Sequence, residues 1–271
     1  MPANMPAIIY GTAWKKESTK DLVIQAVKTG FKGIDTACQP KHYNEAGVGE
    51  ALVALEKEGY FREELFIQTK FTLLEGQDPL DVPYDKAAEL DIQVAQSFEM
   101  SKKNLHTDYV DSLVLHSPPN NFEELHMIWK EMEEIAIRGE AKQLGISNLY
   151  DIGLLADLYQ MAKIKPSVVQ NRFYKDTHYD KQIRKFCKDH NITYQSFWTL
   201  TANPHLLKNQ KLIDLAIRYN KNVVQIFFAY LNHIGITPLT GTTDLEHMQI
   251  DLESFDINLE KDDILKLDSL F

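Results

Sequence analysis

Short β-branched or apolar runs alternate with amphipathic stretches of helical length almost to the end of this chain. Such alternation specifies parallel strands joined by helical crossovers. Eight runs read as strands: "AIIYGTA" (7–13), "KGIDTA" (32–37), "LFIQTKF" (65–71), "YVDSLVLH" (109–116), "AKQLGIS" (141–147), "SVVQNRF" (167–173), "TYQSFWT" (193–199) and "GITPLTG" (235–241). Among the intervening segments, "STKDLVIQAVKTG" (18–30) carries a Ser/Thr cap and a stopping glycine, and "NNFEELHMIWKEMEEIAIRG" (120–139) repeats apolar residues at i, i+3 and i+4. Eight strands and at least eight helices in 271 residues indicate an α/β chain folded as a (β/α)8 TIM barrel, one domain over 1–271. An open doubly wound sheet is the alternative that the same alternation allows.

Acidic residues exceed basic ones, 39 to 29, for a formal charge of −10, and no basic stripe or tail is present to grip a phosphate backbone. Nucleic acid is therefore not an expected partner. The longest apolar runs, such as "VVQIFFAYL" (223–231), fall short of a bilayer span, and "MPANMPAIIYG" lacks the charged start and cleavage site of a secretion signal. A cytoplasmic protein without a membrane partner is expected, with Cys38 and Cys187 as thiols because they are far apart and lack metal-ligand spacing.

Gly47-Val48-Gly49 suggests a dinucleotide fingerprint, but Leu52 stands at the third glycine position and the segment follows a loop instead of a strand. No phosphate-cradling GxxxxGK, no GxSxG elbow and no HExxH occurs, so a kinase, a serine hydrolase and a zinc protease are not indicated.

In a barrel of this kind the reactive groups collect where the strands end at the carboxyl side. Asp35 ends the second strand, Tyr43 lies in the loop that follows, Lys70 ends the third, and His116 ends the fourth. An ammonium inside an apolar strand is costly unless paired, which assigns Asp35 as the partner of Lys70. A phenol beside that ammonium is expected to become more acidic, so that Tyr43 gives its proton to a developing alkoxide while His116 orients the carbonyl oxygen. The set reads as machinery for carbonyl reduction.

The segments "GIDTA", "NEAGVGEAL", "REELFIQTK", "DYVDSLVLH", "RGEAKQLGISN" and "PSVVQN", in that order, resemble the landmark segments of the aldo-keto reductase superfamily over nearly the whole chain. The resemblance implies a tetrad of Asp35, Tyr43, Lys70 and His116, and a nicotinamide whose carboxamide is held by Ser147, Asn148 and Gln170. It implies a small aldehyde or ketone as substrate and leaves the oligomeric state open.

Several positions depart from the family pattern. The gap from Asp35 to Tyr43 is longer than usual, and His42 stands where a count back from Glu45 would put the tyrosine. Gln195 replaces the aromatic ring that usually stacks on the nicotinamide, leaving Phe197 or Trp198 to stack instead; Ser196 matches the serine over the pyrophosphate. At the adenosine end, Gly241 and His247 replace the usual lysine and arginine, with Thr242 and Asp251 matching the intervening serine and the residue near adenine. NADP(H) is the favoured cofactor, with NAD(H) possible. The long C-terminal loop of many members is missing, so an open substrate pocket is expected, lined by Trp14, Phe71, Tyr174 and Trp198. The alternative function is a nicotinamide-binding regulatory or structural member of the fold without turnover.

Overall fold

The computed structural model describes residues 5–271; the first four residues of the segment searched for a secretion signal lie outside it. Eight parallel strands close into one barrel in sequence order: β1 (Ile9–Gly11), β2 (Gly33–Asp35), β3 (Phe66–Phe71), β4 (Ser112–Leu115), β5 (Leu144–Ser147), β6 (Val168–Arg172), β7 (Thr193–Phe197) and β8 (Ile236–Thr240). Closure comes from β1, which pairs with β2 on one side and β8 on the other. Each strand lies inside the run expected from the sequence and is shorter than it, because the ladder stops where the chain splays at the rim. At the end of β1, for example, the Thr12 amide and hydroxyl both turn to the carbonyl of Asp35.

Helices α1 (Thr19–Thr29), α2 (Glu45–Glu56), α3 (Leu90–Leu105), α4 (Phe122–Ile137), α5 (Ile152–Met161) and α6 (Lys181–Asp189) each return the chain to the start of the next strand. Three helical segments, α7 (Pro204–Leu207), α8 (Gln210–Tyr219) and α9 (Val223–His233), bridge β7 to β8, and α10 (Leu245–Glu253) and α11 (Lys261–Asp268) follow. Sequence dictates these elements locally. In α4 the buried residues Leu125, Ile128, Trp129, Met132 and Ile135 form one stripe, and the Asn121 side chain caps the first turn by accepting from the Glu124 amide. Gly30 ends α1 with a φ of 125°, which a side chain would oppose. Among the described residues, no helix is long and apolar enough to cross a membrane.

The two ends of the barrel differ in chemistry. Near the start of β4, Asp111 accepts from Arg62 and Lys142, each at 2.8 Å, and from the Ile67 amide at 2.9 Å. Both cations also flank the Tyr109 ring. These contacts satisfy a buried carboxylate at the amino ends of the strands, the end of a barrel that serves stability. The opposite end holds the residues singled out above.

Candidate active site

Strand alternation sends Gln68 and Lys70 of β3 into the lumen, together with Asp35 of β2, Gln170 of β6 and Gln195 of β7. Lys70 is 1% exposed; its ammonium donates to Asp35 Oδ2 at 2.6 Å and to the Thr36 carbonyl at 2.8 Å. Two amides then converge on Asp35 Oδ1, Gln68 Nε2 at 2.7 Å and Gln170 Nε2 at 3.0 Å. Both also donate to Gln195 Oε1, at 2.8 and 2.9 Å. A buried carboxylate with an ammonium and two amides is satisfied on both oxygens, which makes an ion pair tolerable in a barrel interior. Dehydration nevertheless pushes the Lys70 ammonium below its ordinary value, against the pull of Asp35.

Tyr43 and His116 stand at the rim of this pair. The Tyr43 ring centre lies 5.1 Å from Lys70 Nζ and 5.9 Å, edge to face, from the His116 ring. The long loop after β2 achieves this with a tight turn in which the His42 and Tyr43 amides both donate to the Gln39 carbonyl. The turn sends Tyr43 toward Lys70 and His42 toward Trp14, whose ring centre is 4.0 Å from that of His42. His116 Nδ1 shares a 2.7 Å hydrogen bond with the Thr72 hydroxyl. Burial, with the positive charge of Lys70 beside it, holds the imidazole well below its usual range, so the ring is neutral near pH 7.

The expected acidification of Tyr43 is corrected by the structure. Burial and the Asp35 carboxylate push the phenol up, not down. The physical reason is that the Lys70 ammonium is already engaged by Asp35 and the Thr36 carbonyl, while the ring sits largely out of water.

At the ends of β5 and β6, the Ser147 hydroxyl donates to the Gln170 carbonyl at 2.7 Å. Asn148, in the left-handed region with φ 55°, donates to the His116 carbonyl at 2.8 Å. Both Nε2 hydrogens of Gln170 are taken by Asp35 and Gln195, which leaves Oε1 as its open hydrogen-bonding atom. Trp14 and Trp198 are 57% and 50% exposed at the rim, and both have left-handed backbones.

Three residues lie differently from their expected places. Phe71, expected to line a pocket, is 1% exposed and packs on Tyr84, because Lys70 before it takes the lumen side. Ser196, expected over a pyrophosphate, likewise points away from the lumen beside Gln195 and shares a 2.8 Å hydrogen bond with Thr199. Asp251 is buried and accepts from the Thr240 hydroxyl at 2.7 Å, with burial pushing its carboxyl up to about 6. Thr242 and His247 lie on the rim around the start of α10, where the Asp244 side chain caps the His247 amide.

Sequence reading missed Lys15, Gln68 and Arg172. The Lys15 ammonium reaches the Gly241 carbonyl from the loop after β1 and so stands beside the position that lacks a lysine of its own. Gln68 reads as an ordinary strand residue until the lumen is seen, and Arg172 as an ordinary strand end.

The family model described as the aldo/keto reductase family matches residues 7–271. An uncharacterized oxidoreductase, YtbE, of Bacillus subtilis is 31% identical over 98% of this chain and 89% of its own length. A glyoxal reductase of the same organism is 28% identical over 90% of this chain and 80% of that one. Among solved structures, MGS-M4, an aldo-keto reductase from a Medee basin deep-sea metagenome library, superposes with a TM-score of 0.82 and 25% identity, covering 99% of this chain and 92% of that one.

Proposed function

The chain belongs to the aldo/keto reductase family, and from that premise we propose that it reduces an aldehyde or ketone to an alcohol, with Tyr43 as the proton donor and Asp35, Lys70 and His116 assisting. The observation that carries this reading is the Tyr43 ring standing 5.1 Å from Lys70 Nζ and 5.9 Å from the His116 ring at the carboxyl ends of the strands. The reduced nicotinamide supplies a hydride to the carbonyl carbon when bound. The oxygen, now an alkoxide, takes the Tyr43 proton.

A phenol held up by burial is protonated at every ordinary working pH and is thus always loaded as a donor, while a developing alkoxide is the stronger base. Lys70 then faces the phenolate left behind, and its positive charge, 5.1 Å from the ring centre, offsets the negative one. Neutral His116 donates a hydrogen bond to the substrate oxygen from Nε2 while Thr72 fixes Nδ1.

Ser147, Asn148 and Gln170 are the proposed holders of the carboxamide, and the fit rests on Gln170: with Nε2 fully used, Oε1 is left to accept from an amide NH2. Thr242, His247 and Lys15 offer a hydroxyl and two basic groups for a phosphate, which supports NADP(H) over NAD(H). Ser196 and Asp251 would reach the cofactor only if their present hydrogen bonds exchanged. Loss of NADPH absorbance with a panel of small aldehydes, glyoxal among them, tests the reading; no oxidation of NADPH or NADH with any of them would refute it.

A further inference from the structure

Arg172 ends β6, two residues beyond Gln170 and on the same side of the strand. Its guanidinium carbon lies 4.1 Å from the ring centre of Trp198 and 4.9 Å from that of Tyr174. The flat cation is therefore held against two aromatic rings at the barrel mouth. Its Nε is buried without a hydrogen-bond partner, and among the described residues no carboxylate pairs with the group. Elsewhere Arg62, Lys70, Arg138 and Arg218 are matched with acids, and Arg184, which has no acid partner either, donates its Nε to the Tyr179 carbonyl. In a chain with a net charge of −10, Arg172 thus keeps a guanidinium at the barrel mouth that packs on aromatic rings and, among the described residues, gives no side-chain hydrogen bond to any acceptor.

Trp198 adds a second sign. Its φ of 53° is unfavourable for a bulky residue, and such backbone strain gathers at ligand clamps. With Nε buried, the terminal Nη groups, which give no hydrogen bond to the described residues, are the part of the guanidinium left for a ligand. The paired N–H groups of the two Nη atoms match the two oxygens of a carboxylate or phosphate.

We propose that Arg172 is an anion-recognition residue at the barrel mouth, taking a carboxylate or phosphate oxyanion of a bound ligand through its Nη groups. Resting on the reductase reading above, that oxyanion has two sources: an acid group carried by the carbonyl substrate, or the pyrophosphate of the dinucleotide.

Arg172→Met keeps the stem and removes the charge, and Arg172→Lys keeps the charge and removes the fork. Calorimetric titration of the protein with benzoate and with inorganic pyrophosphate requires no turnover, so it decides the matter even if the reductase reading fails. At least one anion should bind the native protein about 10- to 100-fold more tightly than Arg172→Met, the effect of a hydrogen bond to a charged group, with Arg172→Lys in between. Turnover then separates the sources. A KM rise of that size for 4-carboxybenzaldehyde, with benzaldehyde and NADPH affinity unchanged, identifies a substrate acid. A weakened NADPH affinity with both aldehydes affected alike identifies the pyrophosphate. Anion titrations unchanged in Arg172→Met, or native protein that binds neither anion, would overturn the proposal.

Discussion

The Lys70 ammonium lies 2.6 Å from Asp35 Oδ2, with both side chains buried at the centre of the lumen. Replacing Asp35 by Asn therefore leaves a cation without its counter-charge. Loss of one member of a buried pair typically costs about 3–5 kcal/mol. Asp35→Asn should unfold at clearly lower denaturant than the native protein, and Asp35→Asn/Lys70→Met should recover part of the loss. Equal midpoints for the single variant and the native protein would remove the pair from any role in stability.

Tyr43→Phe keeps the ring that packs against His116 and deletes the proton. A general acid contributes typically about 10²–10⁴-fold, so kcat should fall by that factor while NADPH binding is retained. Retention of more than half the native kcat would exclude Tyr43 as the donor.

The pH profile follows from His116. Because its imidazole is held well below the usual range, it stays neutral as pH rises through neutrality and gains no proton until acid conditions. Reduction at saturating cofactor should show no histidine inflection between about pH 6 and 8 in kcat/KM. A clear single-proton step in that interval that vanishes in His116→Ala would contradict the neutral assignment.

Asp251 makes a prediction about stability and pH. Its carboxyl goes from an ordinary 3.8 to about 6 in the fold, so the folded protein binds this proton more tightly than the unfolded chain does. Below about pH 3.8 the group costs nothing; between there and about 6 the cost grows, reaching on the order of 3 kcal/mol above 6. Asp251→Asn still accepts from Thr240 and should melt higher than the native protein at pH 7.5, with the gap closing on acidification. A gap that is absent at pH 7.5, or widens in acid, has the wrong sign.

Gly49 is the place where α2 and α3 nearly touch: a Cβ there would stand 1.9 Å from the Asn104 carbonyl oxygen. Because backbone cannot swing aside, Gly49→Ala should cost about 3 kcal/mol or more, at the upper end of overpacking. It should also disturb the site, since Asn104 donates to Glu45, which follows Tyr43 by two residues. A melting temperature within a degree or so of native would show that the helices part freely.

How much of this was legible in the sequence depends on whether partners are near in the chain. The strand in "YVDSLVLH" announces itself because Leu113, Val114 and Leu115 are apolar on both faces, and the cap and stripe of α4 are contained within a few turns. The pairing of Lys70 with Asp35 was also legible, since a charge in an apolar strand demands a partner. The raised phenol of Tyr43 was not, because spacing brings the ring near an ammonium without telling that this ammonium is already spent. Likewise the Lys15 contact with Gly241 spans 226 positions, and the meeting of Gln68 with Gln195 spans 127; only strand register reveals them.

Strands β2, β3, β6 and β7 thus share hydrogen bonds that run across the barrel as well as around it, through Asp35, Gln68, Gln170 and Gln195. An oily filling would let opposite walls slide independently, whereas directional bonds between them resist shear. The wall that carries Asp35 and the wall that carries Gln170 are in this way mechanically one body, so the carboxyl ends of β2 and β6 are held at a fixed distance from each other.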